Sequence, residues 1–572
     1  MSEEESNKKV IGRRGFLKGA AAGAVGVTTL SALSACSGGA DKKSAMVDMT
    51  ADQSLQKWSF EIAPKAITNI AKTVTADVVV VGAGTSGLVT ANKAADDGAK
   101  VILISASSAP IYRGGSNSAV YSKTKERLGL KKTDASFFAK EIVANNNFVD
   151  QRKWYSFYNN SEEAMNWLID IMEGAGYETG LEQPTTFLEN SPYFMAAGAH
   201  GWMTPKAHTM GMNQQFVVDT LADRLTKKSG QIFYKNIARQ LVRGGVANGT
   251  TGRVDAVIAE AEDGTFVKYV GTKAIVLATG DFTANREMMY KYSPNAAALI
   301  KDEVYNEKPN YDKDFLYGGL FYGDGQKMGL WIGAAWQKVF PCAPMGGGIG
   351  AGPGVGQSMF SGLLVNRDGE RYMCEYGMRD MGALTNTLEP DRKVFAIWDT
   401  GYAKNLESKW FDRSKPYGED SAIPVDKVVA GWDANVKKGS FFKADTLEEL
   451  IKAMNLPAST IDTIKHYNDL AKAGEDTDFH KDSSLLFPIE TGPFYGSGPG
   501  GVFLTVCGGL RTNVNMQVCD ETDHPVDGLY NVGTMVGDMY SGNYTFEIPG
   551  LNLGATCITF GYLTGKFIAK KA

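Results

Sequence analysis

The sequence is short of the residues that would announce metal, thiol or haem chemistry. Its six cysteines stand at 36, 342, 374, 507, 519 and 557. None falls into CxxC or CxxCH, so spacing supports no thiol redox pair, no c-type haem and no zinc site. Burial as small apolar side chains is their expected role, with an iron–sulfur cluster assembled from distant cysteines as the minor alternative. Charge of one sign is also lacking: a net charge of −5 over 572 residues gives no footing for nucleic acid. The apolar run Gly19–Ala35 is slightly short and too glycine-rich to make a good membrane span. Glycine, at 65 residues, is abundant, as expected of a chain whose backbone must come close to a large ligand. The length allows two or three domains.

The first residues read as an address. Residues 12–18 are GRRGFLK, similar to a twin-arginine export signal with Gly12 in place of the usual Ser or Thr. The following run ends in Leu33-Ser34-Ala35-Cys36, which resembles a bacterial lipobox, with Cys36 as the acylated residue. The alternative is a plain cleavage site beside an incidental cysteine. The stretch SGGADKKSA after Cys36 suits a flexible tether.

Residues 77–104 carry the strongest signal, DVVVVGAGTSGLVTANKAADDGAKVILI. A buried-type strand (77–81) runs into Gly82, Gly84 and Gly87, then a helix, then a second strand (100–104). Gly82 permits the tight turn, Gly84 the approach of a pyrophosphate, and Gly87 the packing of helix on strand, with Thr85 and Ser86 at the helix start. Ser105 stands where an acid usually holds the ribose, and a hydroxyl still hydrogen-bonds there. FAD rather than NAD is indicated downstream. KAIVLATGDF (273–282) is a strand ending in Thr279-Gly280, and Arg113-Gly114-Gly115-Ser116-Asn117 follows the first unit's second strand. GLYNVGT (528–534), with Gly533 and Thr534, reads as a return strand closing over a flavin. No second complete GxGxxG exists; GGGIGAGPGVG (346–356) misses the spacing and reads as a loop.

Together these segments resemble the soluble, exported branch of the FAD-dependent fumarate reductase flavoproteins, a family with urocanate reductases and, more distantly, 3-ketosteroid dehydrogenases. The most specific stretches are GDGQKMGLWIGA (323–334), LLVNRDGERYMCEYGMRD (363–380), HYNDLAKAGEDTDFHK (466–481) and GLNLGATCITFGYLTGKFIA (550–569). The resemblance implies an α/β fold: a Rossmann-like, two-dinucleotide-binding-type FAD domain split in sequence, with an inserted α+β capping domain. The implied boundaries are signal 1–36, lead 37–74, FAD domain 75–340 and 506–572, and cap 341–505. Asp324, Asn552, Gly554, Thr556, Cys557 and Ile558 join the implied cofactor contacts. With no histidine near Gly114–Ser118, the FAD is expected to be non-covalent.

The family's catalytic arginine falls on Arg379, expected to act beside the carbon that receives hydride from flavin N5. The rest of the family's dicarboxylate clamp is missing. Leu504-Thr505 stand where fumarate reductases carry a histidine pair, Asn552 replaces the clamp arginine, and Cys342–Pro344 and Val355–Ser358 lack the further histidine and the proton-relay pair. An extra segment within MYSGNYTFEIPG (539–550) brings Tyr540, Tyr544, Phe546 and Glu547 towards the site, with Tyr540 or Tyr544 as possible proton donors. A site with few cations disfavours a dianion, so an enone, an unsaturated lactone or a steroid-like molecule is expected rather than fumarate. The Met-rich stretch 194–212 could line such a pocket or belong to the core; His200 and His208, with no acid at metal-ligand spacing, read as structural, and no metal is expected.

The expected activity is therefore an FAD-dependent, extracytoplasmic ene-reductase serving anaerobic respiration, fed by a membrane-bound cytochrome or FMN protein because the chain has no haem motif or second dinucleotide site of its own. The alternatives are desaturation of a ketosteroid-like substrate, and a non-enzymatic flavin lipoprotein that binds ligand or passes electrons.

Overall fold

The computed structural model describes residues 57–183, 199–211, 213–298, 300, 302–306, 308–312, 321–343, 345–346, 360–375, 385–406, 410–412, 414–498, 502–503, 505–544 and 548–570. The leader with Cys36, the catalytic expectation Arg379, and Leu504, Phe546, Glu547 and 346–356 apart from Gly346 all lie outside these residues.

The glycine fingerprint sits on a parallel βαβ unit, as its pattern predicts. Val78, Val79, Val80 and Val81 are buried on both faces, the signature of a strand covered by helices on each side. Strand Ile70–Val81 pairs in parallel with Val101–Ile104 through Val78↔Val101 to Val81↔Ile104, and helix Thr85–Asp96 connects them. On its other edge lies the parallel strand Phe266–Leu277. That strand is 12 residues long, and its far edge serves two further neighbours. Its first half pairs antiparallel with Val254–Glu260, and its last residues pair in parallel with the return strand Pro525–Asn531. Residues about 250 positions downstream of that strand thus complete the sheet that residue 70 begins.

The segment expected to cap this domain contains a separate four-stranded antiparallel sheet, in the order Leu363–Asn366, Val394–Asp399, Phe494–Ser497, Phe441–Ala444. Its alternation is two-sided. Val365, Phe395 and Ile397 join a core with Leu450, Ile464 and Tyr467 on one face. Leu364, Ala396 and Trp398 join Trp410, Trp432 and Tyr495 on the other. Below it, Arg371 is locked between Glu375 and Asp476, at 2.9 and 2.6 Å, with both carboxylates fully buried.

The C-terminal helix begins with a π-helical turn, Leu553–Thr559, and continues as Phe560–Ala569. It lies against helix Thr85–Asp96 so closely that a Cβ on Gly565 would stand 2.6 Å from the Thr90 carbonyl oxygen. Of the five described cysteines, 342, 507, 519 and 557 are buried, as small apolar residues would be, and Cys374 is partly exposed. Met203 and Met210 are core residues. No described helix is long and apolar enough to cross a membrane.

Candidate active site

The fingerprint glycines divide the labour between packing and ligand. A Cβ on Gly82 would stand 2.2 Å from the Ala278 carbonyl oxygen, and one on Gly87 would stand 2.0 Å from the Gly82 carbonyl oxygen. Both are required for the strand–helix junction to close. Gly84 is different: its Cβ would meet only the Ile111 carbonyl oxygen at 3.8 Å and would project into a cavity. Gly84 also precedes helix Thr85–Asp96 without any side-chain cap, so the helix's first amides are left for an anion.

That cavity is a cleft partly open to solvent. Of the expected cofactor residues it gathers Gly82, Gly84, Thr85, Ser86, Ser105, Thr279, Gly280, Asp324, Thr534 and Cys557 on one wall. Residues from 82, 279, 324, 534 and 557 meet because the sheet brings the ends of its parallel strands together, where ligands bind in doubly wound folds. The remaining expected residues make contacts within the fold. Gly114 packs on Leu553 and Gly533 on Ser86, and Gly554 abuts the Ser118 backbone. The Ser116 hydroxyl donates to Glu182, and the Asn117 amide donates to the Gly115 carbonyl and to Gln214. Gly115 supplies that carbonyl, Thr556 donates to the Asn552 carbonyl at 2.7 Å, and Ile558 is core. Sequence reasoning missed Ser107, Tyr112, Arg113, Asn236, Tyr311 and Tyr322, all on the cavity wall; only Arg113, adjoining the glycine pair, had a neighbouring motif.

A buried cluster with Cys342, Cys507, Tyr540 and Tyr544 lies near this cavity in the fold. Gly508 N–H donates to the Thr534 carbonyl at 2.8 Å, which sets Cys507 one residue beyond the cavity lining. Cys342 and Cys507 face each other as an antiparallel bridge with reciprocal backbone bonds of 2.9 and 2.7 Å. Tyr540 lies close enough to both thiols to be influenced by them. Its ring meets Trp154 edge-on at 5.9 Å and Tyr544 at 5.3 Å. The Tyr540 hydroxyl is buried and finds no hydrogen-bond partner among the described residues, whereas Tyr544 accepts from Asn552 N–H at 3.3 Å. Burial raises the Tyr540 phenol well above its usual range and lifts the Cys557 thiol to about 12, so both stay protonated and neutral at physiological pH.

Thr505, expected in place of a clamp histidine, donates its hydroxyl to Asp281. Asp281 is buried, also accepts from Thr283 N–H and Oγ1 at 3.1 and 2.8 Å, and faces Arg113 at 3.6 Å. Arg113, a described cation lining the dinucleotide cavity, is therefore balanced by a carboxylate.

The histidines behave as structural groups. His200 is fully buried between Ser122 and the Asn117 carbonyl, and burial lowers its pKa to about 3. His208 sits between Glu178 and Glu419, 2.5 Å from each. It ties strand Glu178–Leu181 to the 410–420 segment, which also docks through Tyr417 N–H to the Leu181 carbonyl at 2.7 Å. The two glutamates raise the pKa of His208. A raised histidine pKa stabilises fully below about pH 6.5 and is lost as pH rises through the raised value. Proteolysis of the 410–420 segment should therefore quicken roughly two- to fivefold across that upper window, a modest effect because the group is solvent-screened. His208→Gln should be cleaved at a pH-independent rate; an equal pH dependence in that variant would remove His208 from the seam.

A family model described as FAD binding domain matches residues 77–547. A vinyl phenol reductase of Lactiplantibacillus plantarum is 26% identical over 524 residues, covering 87% of this chain and 96% of that protein. A fumarate reductase (cytochrome) of Shewanella frigidimarina is 26% identical over 517 residues, covering 87% and 77%. Among solved structures, a 3-ketosteroid-Δ4-(5α)-dehydrogenase from Rhodococcus jostii superposes with a TM-score of 0.64 at 21% identity, covering 89% of this chain and 100% of that one. The open conformation of a flavocytochrome c3 fumarate reductase gives 0.62 at 21%, covering 90% and 82%. The last two likenesses establish the fold.

Proposed function

The chain belongs to the FAD binding domain family and is an FAD-dependent oxidoreductase acting on CH–CH bonds; on that footing we propose that it is an extracytoplasmic reductase that saturates an activated C=C bond in a neutral substrate, an enone, an unsaturated lactone or a related conjugated alkene. The observation that carries this reading is the Tyr540 hydroxyl, buried among Tyr544, Trp154 and two thiols with no described partner. An unsatisfied buried hydroxyl costs about 1–3 kcal/mol, and a substrate oxygen would satisfy it.

FAD bound across Gly82–Ser86 and Thr279–Gly280 supplies hydride chemistry at the alkene. The chain's own residues do the rest. Aromatic rings and neutral thiols exclude water, so a nearby charge or hydrogen bond acts at low dielectric. Tyr540 Oη holds a proton that burial keeps in place, available to the carbon or oxygen on which negative charge grows. Arg379 stabilises that charge. The Arg113–Asp281–Thr505 unit offers a neutral, hydrogen-bonding wall.

Anaerobic turnover with reduced viologen tests the reading. Enones and related alkenes should be consumed, and fumarate should be neither a good substrate nor a good inhibitor. Efficient fumarate reduction would sink the neutral-substrate reading. Dehydrogenation of a ketosteroid with an artificial acceptor, without alkene reduction, would favour the reverse direction.

Electrons are proposed to come from a separate membrane-linked cytochrome or FMN protein, the sequence having no haem motif or second complete fingerprint. The protein is proposed to be held on the outer face of the cytoplasmic membrane through a lipid on Cys36. Fractionation should find it with membranes, and Cys36→Ala should release it; an unaltered protein that stays soluble in the cytoplasm would end this part of the proposal.

A further inference from the structure

The glycine fingerprint lines one part of the dinucleotide cavity; another part is lined by three aromatic residues that no motif marks, together with Asp324. Tyr311, Phe321, Tyr322 and Asp324 line it. Lys308, Pro309, Asn310 and Asp312 are exposed, whereas Tyr311 is turned inward. Two ties hold this stretch. The Asp312 carboxylate accepts from Ser108 N–H at 2.6 Å and from Ser108 Oγ at 2.9 Å, fastening it just beyond Ser105 and Ser107. The Tyr311 hydroxyl donates to Asp324 at 2.8 Å, and Asp324 is itself anchored by Lys327 at 2.9 Å. The Tyr311 and Tyr322 rings meet edge-on at 5.6 Å, which fixes the plane of Tyr311.

The end of the second strand of a Rossmann unit is where the adenosine ribose lies. Here that position carries hydroxyls in place of a carboxylate, Ser105 and Ser107 bonding each other at 2.8 Å. A hydroxyl holds a ribose more weakly than an ionised acid does. An aromatic face fastened beside this end supplies binding that the serines do not, since a nucleobase stacks on an aromatic ring whatever its identity.

We propose that residues 308–312 form a strap over the adenosine half of the FAD, with Tyr311 as the aromatic wall and the Asp312–Ser108 bonds as the clasp that sets how long the cofactor stays bound. The proposal rests on the family's cofactor and not on the alkene-reductase reading, and its test involves no turnover.

The test is the rate at which the holoprotein loses FAD after dilution, followed by the rise in flavin fluorescence with charcoal as the trap. Tyr311→Ala should release FAD about 10- to 100-fold faster, the range for losing one stacked base. Tyr311→Phe, which keeps the ring and loses only the Asp324 bond, should restore most of the retention. Asp312→Ala removes both clasp bonds and Ser108→Ala only one, so release should rank unaltered, Ser108→Ala, Asp312→Ala from slow to fast. Ser108 and Asp312 are exposed, and none of the three positions belongs to the sheet core. Rates for Tyr311→Ala and Asp312→Ala within twofold of the unaltered protein would overturn the proposal. So would a Tyr311→Phe variant as fast as Tyr311→Ala, because the ring would then not be the binding element.

Discussion

Replacing Arg379 with alanine or lysine should leave FAD binding intact and slow turnover about 10²–10⁴-fold, the range for losing a positioned acid or charge stabiliser. Hydride addition to an activated alkene builds negative charge on the neighbouring carbon or its conjugated oxygen, and a fixed guanidinium in a water-poor site stabilises it. Four residues before Arg379 in sequence, Glu375 belongs to the Arg371–Glu375–Asp476 network, almost wholly excluded from water. Arginine stays protonated at accessible pH, so a proton donor other than Arg379 is favoured unless a relay recharges it at once. Tyr540→Phe and Tyr544→Phe divide the question. A comparable loss in Tyr540→Phe assigns the proton to that phenol and leaves Arg379 to act through charge. Near-normal turnover in flavin-loaded Arg379→Ala would dismantle the assignment and much of the fumarate-reductase-like mechanism with it.

Gly84→Val should give a folded, colourless protein. A Cβ at this position touches nothing closer than 3.8 Å within the fold, so the substitution spares the sheet and fills the path of the pyrophosphate. The flavin content should fall from a single FAD per chain to near zero, while circular dichroism and the thermal midpoint of the apoprotein stay close to those of the unaltered one. Gly87→Val is the contrast. Its side chain would be driven into the Gly82 carbonyl 2.0 Å away, and loss of colour there should come with loss of fold. The unaltered protein should release its flavin on acid precipitation; flavin that stays with the precipitate would contradict a non-covalent cofactor. A yellow Gly84→Val protein would mean that the dinucleotide does not approach the helix N-terminus at all.

The parts legible in the sequence were those whose physics is local. The spacing of Gly82, Gly84 and Gly87 is fixed by a single strand–turn–helix junction, and the buried valines before it announce a covered strand without reference to anything distant. Thr279-Gly280 and Thr534 were legible for the same reason, each closing a strand of the same sheet. The expected contacts at Gly115–Asn117, Thr556 and Ile558 came from neighbourhood in sequence. In the structure the Ser116 hydroxyl meets Glu182, the Asn117 side-chain amide meets Gln214 and the Gly115 carbonyl, and the Thr556 hydroxyl meets the Asn552 carbonyl, pairings that only the three-dimensional path decides. Tyr311 and Asp312 were invisible because their partners, Asp324 and Ser108, lie 13 and 204 residues away and no spacing rule links them. Thr505 was read as a missing cation; that its hydroxyl meets a buried Asp281 facing Arg113 depends on packing between separate elements.

The return strand Pro525–Asn531 completes a sheet that begins at residue 70, and Thr534 and Cys557 close a cavity opened by Gly82. During synthesis, the ribosome delivers the phosphate loop and the four-stranded sheet of residues 363–497 before either closing element exists. A nascent chain that has emerged only as far as residue 505 therefore has half a cradle, and its parallel strand Phe266–Leu277 has an open flank until the last residues arrive. Long-range parallel pairing of this kind forms slowly and exposes an unpaired edge while it waits. Completion of the cradle must wait for residues 525–557, and free FAD in the compartment of synthesis becomes a determinant of folding yield. Flavin starvation should thus appear first as aggregated or degraded chains, before any loss of specific activity in the molecules that succeed in folding.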